Sequence, residues 1–149
     1  MKALHLIVAS LVLLSSASFS QTNDEKNAIT ETVLNYLEGW YDGDVERMGK
    51  ALHPELAKRV LATLPQTGTT FIQTATKAQM IEYTRAGFGK NTPREKLNNK
   101  VEVLDVYNGI ATVKAVSYDY VDYCHVVKQN DKWQIINVLW ERIPHEKEE

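Results

Sequence analysis

The sequence holds a single cysteine, Cys124, so no disulfide can close within the chain and stability has to come from packing. That thiol stands in an apolar, strand-like run, where a free cysteine usually serves as a small buried side chain. No Gly-rich phosphate loop and no nucleophile-elbow pattern occurs, which removes the nucleotide-binding and serine-hydrolase motifs with a recognisable local signature. A basic block is missing too. With 17 Lys and Arg against 19 Asp and Glu, and no interleaving of aromatic with basic residues, nucleic acid is a poor candidate partner. His53, His125 and His145 lack metal-ligand spacing, and Cys124 beside His125 has no second pair, so the pattern supports neither a metal nor a cofactor.

One long apolar run is present, at the start. Lys2 precedes "LHLIVASLVLL", which gives way to the small residues of "SSASFSQ", the charged, hydrophobic and small-residue order of a secretory signal. The run is shorter than the roughly 20 residues that span a bilayer, and no later segment approaches that length, so a membrane anchor is not expected. The pattern predicts residues 1–20 as a signal peptide cleaved after Ser20, and an exported protein, periplasmic or extracellular. Residues 21–149 then fit one domain with a short charged tail, "HEKEE".

Within that domain, Thr22 and Glu25 resemble a capping box, and Ile29, Val33, Tyr36, Leu37, Trp40 and Tyr41 recur at helical spacing, predicting a helix over about 24–42. Gly43 suits the left-handed residue after it, and Asp44 suits the cap of a short second helix, "VERMGKAL", stopped at "HP". "ELAKRVLATL" reads as a further helical piece up to Pro65. "TGTTFIQTA" reads as a turn and a short strand, and Thr76 with Gln79 caps a third helix in "KAQMIEYTRAG". After the polar loop "FGKNTPREKLNN", the runs "KVEVLDVY" and "IATVKAVSYDYVDYCHVV" flank the hairpin signal Asn108-Gly109. "KWQIINVLWERI" follows a second turn at "KQND", giving three consecutive antiparallel strands. Helices first and a strand meander last indicate an α+β domain.

That order, with "YLEGWYDGD" closing the first helix, "ALHP" closing the second and "VVKQNDKWQIINVLW" as terminal hairpin, resembles the nuclear transport factor 2-like superfamily, also called SnoaL-like or cystatin-like. Within it, "YVDYCHVVKQNDKWQIINVLW" is similar to an exported bacterial group labelled "putative lumazine-binding". The resemblance implies a cone-shaped fold, with three N-terminal helices packed on a curved, mainly antiparallel sheet, whose open end often holds a small apolar ligand. Ketosteroid isomerase, scytalone dehydratase and polyketide cyclases are members, beside many proteins without known chemistry.

Alternation along the last strand puts Trp133, Ile135, Asn137 and Leu139 on one face, with Gln134, Ile136, Val138 and Trp140 on the other. The resemblance turns Trp133 and Ile135 toward the cone, and so predicts Asn137 inside it. Apolar residues on both faces predict a homodimer through the sheet. Asp122 falls on one face of its strand and His125 on the other, so they form no local acid–base dyad. Two roles stand open for Asp122: a general base in a dry pocket, or an acceptor of hydrogen bonds from a tyrosine or nearby backbone. The resemblance also places His53 near the cone mouth, although capping at a helix end explains it equally. The expected ligand site is therefore Trp40, Tyr41, His53, Tyr120, Asp122 and Asn137. Its occupant would be a small, partly apolar molecule bound without chemistry; with the cone filled by aromatic side chains instead, the domain would work only as a dimer or interaction module. The alternative is an isomerase, dehydratase or cyclase acting on a small carbonyl or polyketide-like compound through Asp122 or His53.

Overall fold

Helix α1 runs over residues 23–42 in the computed structural model, which describes residues 23–145. The expected signal peptide, and the tail beyond His145, lie outside the described residues. The helical stripe read from the sequence is the buried one: Ile29, Val33, Tyr36 and Leu37 all face the core. Gly43 takes a left-handed φ of 66° and ends the helix. Asp44 then caps helix α2, Val45–Ala51, its Oδ1 accepting from the amides of Glu46 and Arg47 at 3.0 Å each.

The chain next enters a strand where helical spacing suggests a helix. Leu56, Val60, Leu61 and Leu64 satisfy a period of three to four, yet the segment forms β1, Leu52–Thr63. Its inward side chains are Leu56, Lys58 and Val60, and its outward ones include Arg59 and Leu61. Tertiary pairing decides the matter, since β1 hydrogen-bonds to a strand on each side. Strand β2, Thr70–Ala75, returns antiparallel to it, and helix α3, Lys77–Arg85, follows with the full Thr76/Gln79 capping box. Lys77 Nζ donates to the carbonyls of Gly49 and Leu52 at 2.8 and 2.6 Å, tying α3 to the end of α2, and its partial burial lowers its pKa. The polar loop beyond α3 contains two 3-10 turns, Phe88–Asn91 and Arg94–Lys96.

Four strands complete the fold: β3 Lys100–Tyr107, β4 Ile110–Val116, β5 Tyr120–Gln129 and β6 Lys132–Arg142. Asn108, at φ 51°, makes the predicted tight turn between β3 and β4. The long strand expected over 110–127 is broken at Ser117–Asp119, where the Ser117 amide donates to the Tyr120 carbonyl at 2.9 Å and reverses the chain. The described strands form one sheet in the order β2-β1-β6-β5-β4-β3, antiparallel except where β1 runs parallel to β6. Three helices pack on this mostly antiparallel sheet in a cone-shaped α+β arrangement.

One irregularity in β6 changes which residues face the helices. His125 pairs with Asn137 and Val126 with Ile135, so Ile136 is an extra residue, a β-bulge. Before the bulge Trp133 and Ile135 point inward; after it Val138 and Trp140 do, and Asn137 and Leu139 point out. The alternation read across the whole strand is therefore correct up to Ile135 and inverted beyond it.

Candidate functional site

Between α1, β1, α3 and the ends of β5 and β6 lies a cavity of about 310 Å³. Helical spacing on α1 turns Tyr36, Leu37, Trp40 and Tyr41 toward it, and the period of two on β1 adds Lys58 and Val60. Strand β5 contributes Tyr120 and Asp122, and the phase set by the bulge brings Trp140 and Arg142 from β6. Tyr83 and Phe88, stacked with centroids 5.4 Å apart, form part of another wall.

Inside, three polar side chains meet. Asp122 Oδ1 accepts from Tyr36 Oη at 2.9 Å and from Lys58 Nζ at 2.5 Å, while Lys58 also donates to Tyr36 Oη at 2.5 Å. Asp122 is 1% exposed and Lys58 8%, so this is an ion pair withdrawn from water. The ammonium lies 4.8 Å from the Trp140 ring centroid and 5.2 Å from that of Tyr36, which adds cation–π attraction. Tyr120 meets Trp40 and Trp140 edge to face, at 6.5 and 5.2 Å between centroids. Tyr41 is held beside this wall by donating to Ser117 Oγ at 2.9 Å.

Of the six residues expected at the site, Trp40, Tyr41, Tyr120 and Asp122 line the cavity, and His53 and Asn137 do not. Asn137 is turned outward by the bulge, where its Oδ1 accepts from Arg59 at 2.5 Å and its Nδ2 contacts His125 Nδ1 at 3.3 Å. His53 sits where β1 begins, with Nδ1 accepting from the Glu55 amide at 3.1 Å and Nε2 contacting Gln129 Oε1 at 3.0 Å. Gln129 ends β5, seven residues beyond Asp122 in sequence, or roughly 23 Å along an extended strand. His53 is thus at the opposite end of the sheet from the cavity, and local hydrogen bonding accounts for it. Among the described residues no cluster of three or more His, Cys, Asp or Glu side chains is placed to hold a metal.

Sequence reasoning missed Lys58 and Arg142. The helical reading of "ELAKRVLATL" hides Lys58, whereas an alternation of Leu56, Lys58 and Val60 would have marked a cation on an inward face. Asp122 Oδ1 takes a tyrosine hydroxyl, the partner that the acceptor role named, and an ammonium that neither role included.

Burial raises the pKa of Tyr36 well above its ordinary value, with the Asp122 charge adding to it, and raises Tyr41 to about 12. Burial also raises the Cys124 thiol. A group that holds its proton more tightly when folded contributes its full stability below the unfolded pKa, and loses it as pH climbs through the folded one. For Tyr41 that window runs from 10.0 to about 12. Thermal unfolding followed from about pH 8 upward should show the loss setting in near pH 9.0, where the Cys124 thiol of the unfolded chain ionises, and steepening near pH 10, at about 1.4 kcal/mol per pH unit for each such tyrosine. Tyr41→Phe should flatten the decline; an unchanged slope in that variant would contradict the assignment.

The sequence matches the family model described as "Putative lumazine-binding" over residues 24–141. The chain belongs to that family. No curated protein matches it significantly. Among solved structures, it is similar to a nuclear transport factor 2-like protein of unknown function from Silicibacter pomeroyi, at 12% identity and a TM-score of 0.61, covering 82% of this chain and 98% of that one. A second such protein of unknown function, from Shewanella baltica, gives 15% identity and 0.59, covering 82% and 96%. A ketosteroid isomerase-like protein from Erwinia carotovora gives 14% and 0.55, covering 83% and 99%. At these identities the likeness establishes the nuclear transport factor 2-like, cystatin-like fold of this lumazine-binding family member. No helix among its described residues is long and apolar enough to cross a membrane.

Proposed function

We propose that this family member is an exported, dimeric protein that binds a small, planar, partly apolar molecule in its cavity and releases it unchanged. The observation that carries this reading is the cavity itself: about 310 Å³, walled by aromatic side chains and supplied with few, convergent polar groups. The family description points the same way and makes lumazine and other pterin-like rings the first probes. Binding is favoured over acid–base catalysis because Asp122 already carries Lys58 and Tyr36 on one oxygen, and His53 stands at the far end of the sheet. Export rests on the Lys2 to Ser20 pattern.

Dimerisation rests on the outer sheet face. Tyr123 and Leu139 are cross-strand partners 48% and 53% exposed, and Leu61 and Ile72 pair likewise on β1 and β2, an apolar surface suited to a second copy. Native mass spectrometry of the protein recovered from its host examines all three parts together. The expected species is a dimer of chains lacking residues 1–20 that carries a small molecule of one defined mass. Chains retaining Met1 would sink export, a monomer at micromolar concentration would sink the dimer, and failure to retain or take up any aromatic probe would sink the binding role.

A further inference from the structure

The charged groups lining the cavity do not balance. Lys58 and Arg142 face one carboxylate, Asp122, and that carboxylate is paired with Lys58. Arg142 lies on β6 two residues beyond Trp140, opposite Tyr120 in register, with its guanidinium 5.6 Å from the Tyr120 ring centroid. Among the described residues the Arg142 guanidinium has no carboxylate partner; its own amide, not its side chain, is the group bonded to Glu141. Asp119, the other acid in the neighbourhood, does not line the cavity and accepts instead from Tyr41 at 3.2 Å and Thr92 at 2.6 Å. An exposed arginine at the end of a strand is ordinary, but one held over a ring in the lining of an aromatic cavity is a donor fork within reach of whatever enters.

A second unfilled valence lies at the other end. Both hydrogen bonds to the Asp122 carboxylate fall on Oδ1, and Oδ2 accepts none from a described residue. The space between is walled by aromatic rings, Trp40, Tyr120 and Trp140 meeting edge to face in one group and the stacked pair Tyr83 and Phe88 in another. Its volume of about 310 Å³ stands at the small end of ligand pockets and admits one or two fused rings.

Building on the binding role proposed above, we infer that the ligand is a small planar organic acid: its anionic group pairs with Arg142, its ring lies among the aromatic walls, and an N–H or O–H at its other end donates to Asp122 Oδ2. Lys58 has a different part in this arrangement. It pairs with Asp122 Oδ1 and holds that side chain in place as an acceptor, which leaves Arg142 to recognise the anion.

Isothermal titration of the full exported chain tests this with paired probes: 4-hydroxybenzoate, 4-hydroxycinnamate and indole-3-acetate, each beside its neutral carboxamide. At least one acid is expected to bind about tenfold or more tightly than its amide, the size of one charge-assisted contact. Arg142→Gln should erase that preference by weakening acid binding more than amide binding, with the melting temperature in place, and Arg142→Lys should restore part of it. Equal affinity for acids and amides overturns the inference and leaves the binding role standing. So does a protein that takes up an apolar solvatochromic dye but binds none of the acids. If neither the probes nor the dye enter, the binding role falls, and this inference with it.

Discussion

Asp122→Asn is expected to destabilise the fold by about 3–5 kcal/mol, because it leaves the Lys58 ammonium buried beside a neutral amide. The side chain keeps its shape, so little of the loss can come from a void. Lys58→Met alone should cost a comparable amount, since the Asp122 carboxylate then keeps a single partner, the Tyr36 hydroxyl. The informative measurement is the double variant. With both charges gone the site becomes a polar amide beside an apolar chain of similar length, and urea unfolding should recover stability to within about 1–2 kcal/mol of the parent, less than either single loss. Additive losses would mean that the two groups do not depend on one another, and the ion pair would cease to explain why a lysine occupies an inward position of β1. Cation–π contact with Trp140 and Tyr36 is the competing stabiliser, worth about 2 kcal/mol when desolvated, too little to carry the ammonium alone.

Gly89→Ala should cost about 2–3 kcal/mol, the upper part of the range for overpacking. Gly89 is buried in the turn Phe88–Asn91, and a Cβ built there would stand 2.3 Å from the Trp40 carbonyl oxygen and 2.7 Å from its indole Cδ1. The first of these is backbone at the end of α1, which cannot swing aside. Relief requires the turn to move off the helix, and Phe88 and Asn91, which line the cavity, would move with it. Ligand affinity should therefore fall together with stability. Gly49→Ala supplies the contrast: it lies inside α2, its added carbon meets Ile81 Cδ1 at an ordinary 3.6 Å, and the helix should gain about 0.5–1 kcal/mol. If the two substitutions behave alike, the close approach at Gly89 is not a constraint.

How much of this could be read in the sequence depended on where the deciding contact lay. The stripe on α1, the Asp44 cap, the Thr76/Gln79 box and the Asn108-Gly109 turn are local, made by residues a few positions apart, and each was legible. Strand β1 was not, because a lysine on its inward face breaks the apolar alternation, and the group that makes that lysine tolerable, Asp122, is 64 positions away. The site divided in the same manner. Trp40, Tyr41, Tyr120 and Asp122 follow from helix and strand periodicity in elements that were placed correctly. Lys58 required β1, Arg142 and Asn137 required the bulge, and the position of His53 required the parallel pairing of β1 with β6.

The bulge at Ile136 also bears on how β6 can change in length over evolution. The strand carries two blocks of alternation, offset by one residue, joined at that position. Losing Ile136 would fuse them into one regular alternation, with Ile135, Val138 and Trp140 still turned to the helices and Asn137 and Leu139 still turned away. Losing a residue from within either block would instead transpose every facing beyond it, moving Trp140 and Arg142 out of the cavity wall. Relatives of unequal β6 length should consequently differ at this one joint, and their sequences can be compared position by position only when each block is aligned by itself.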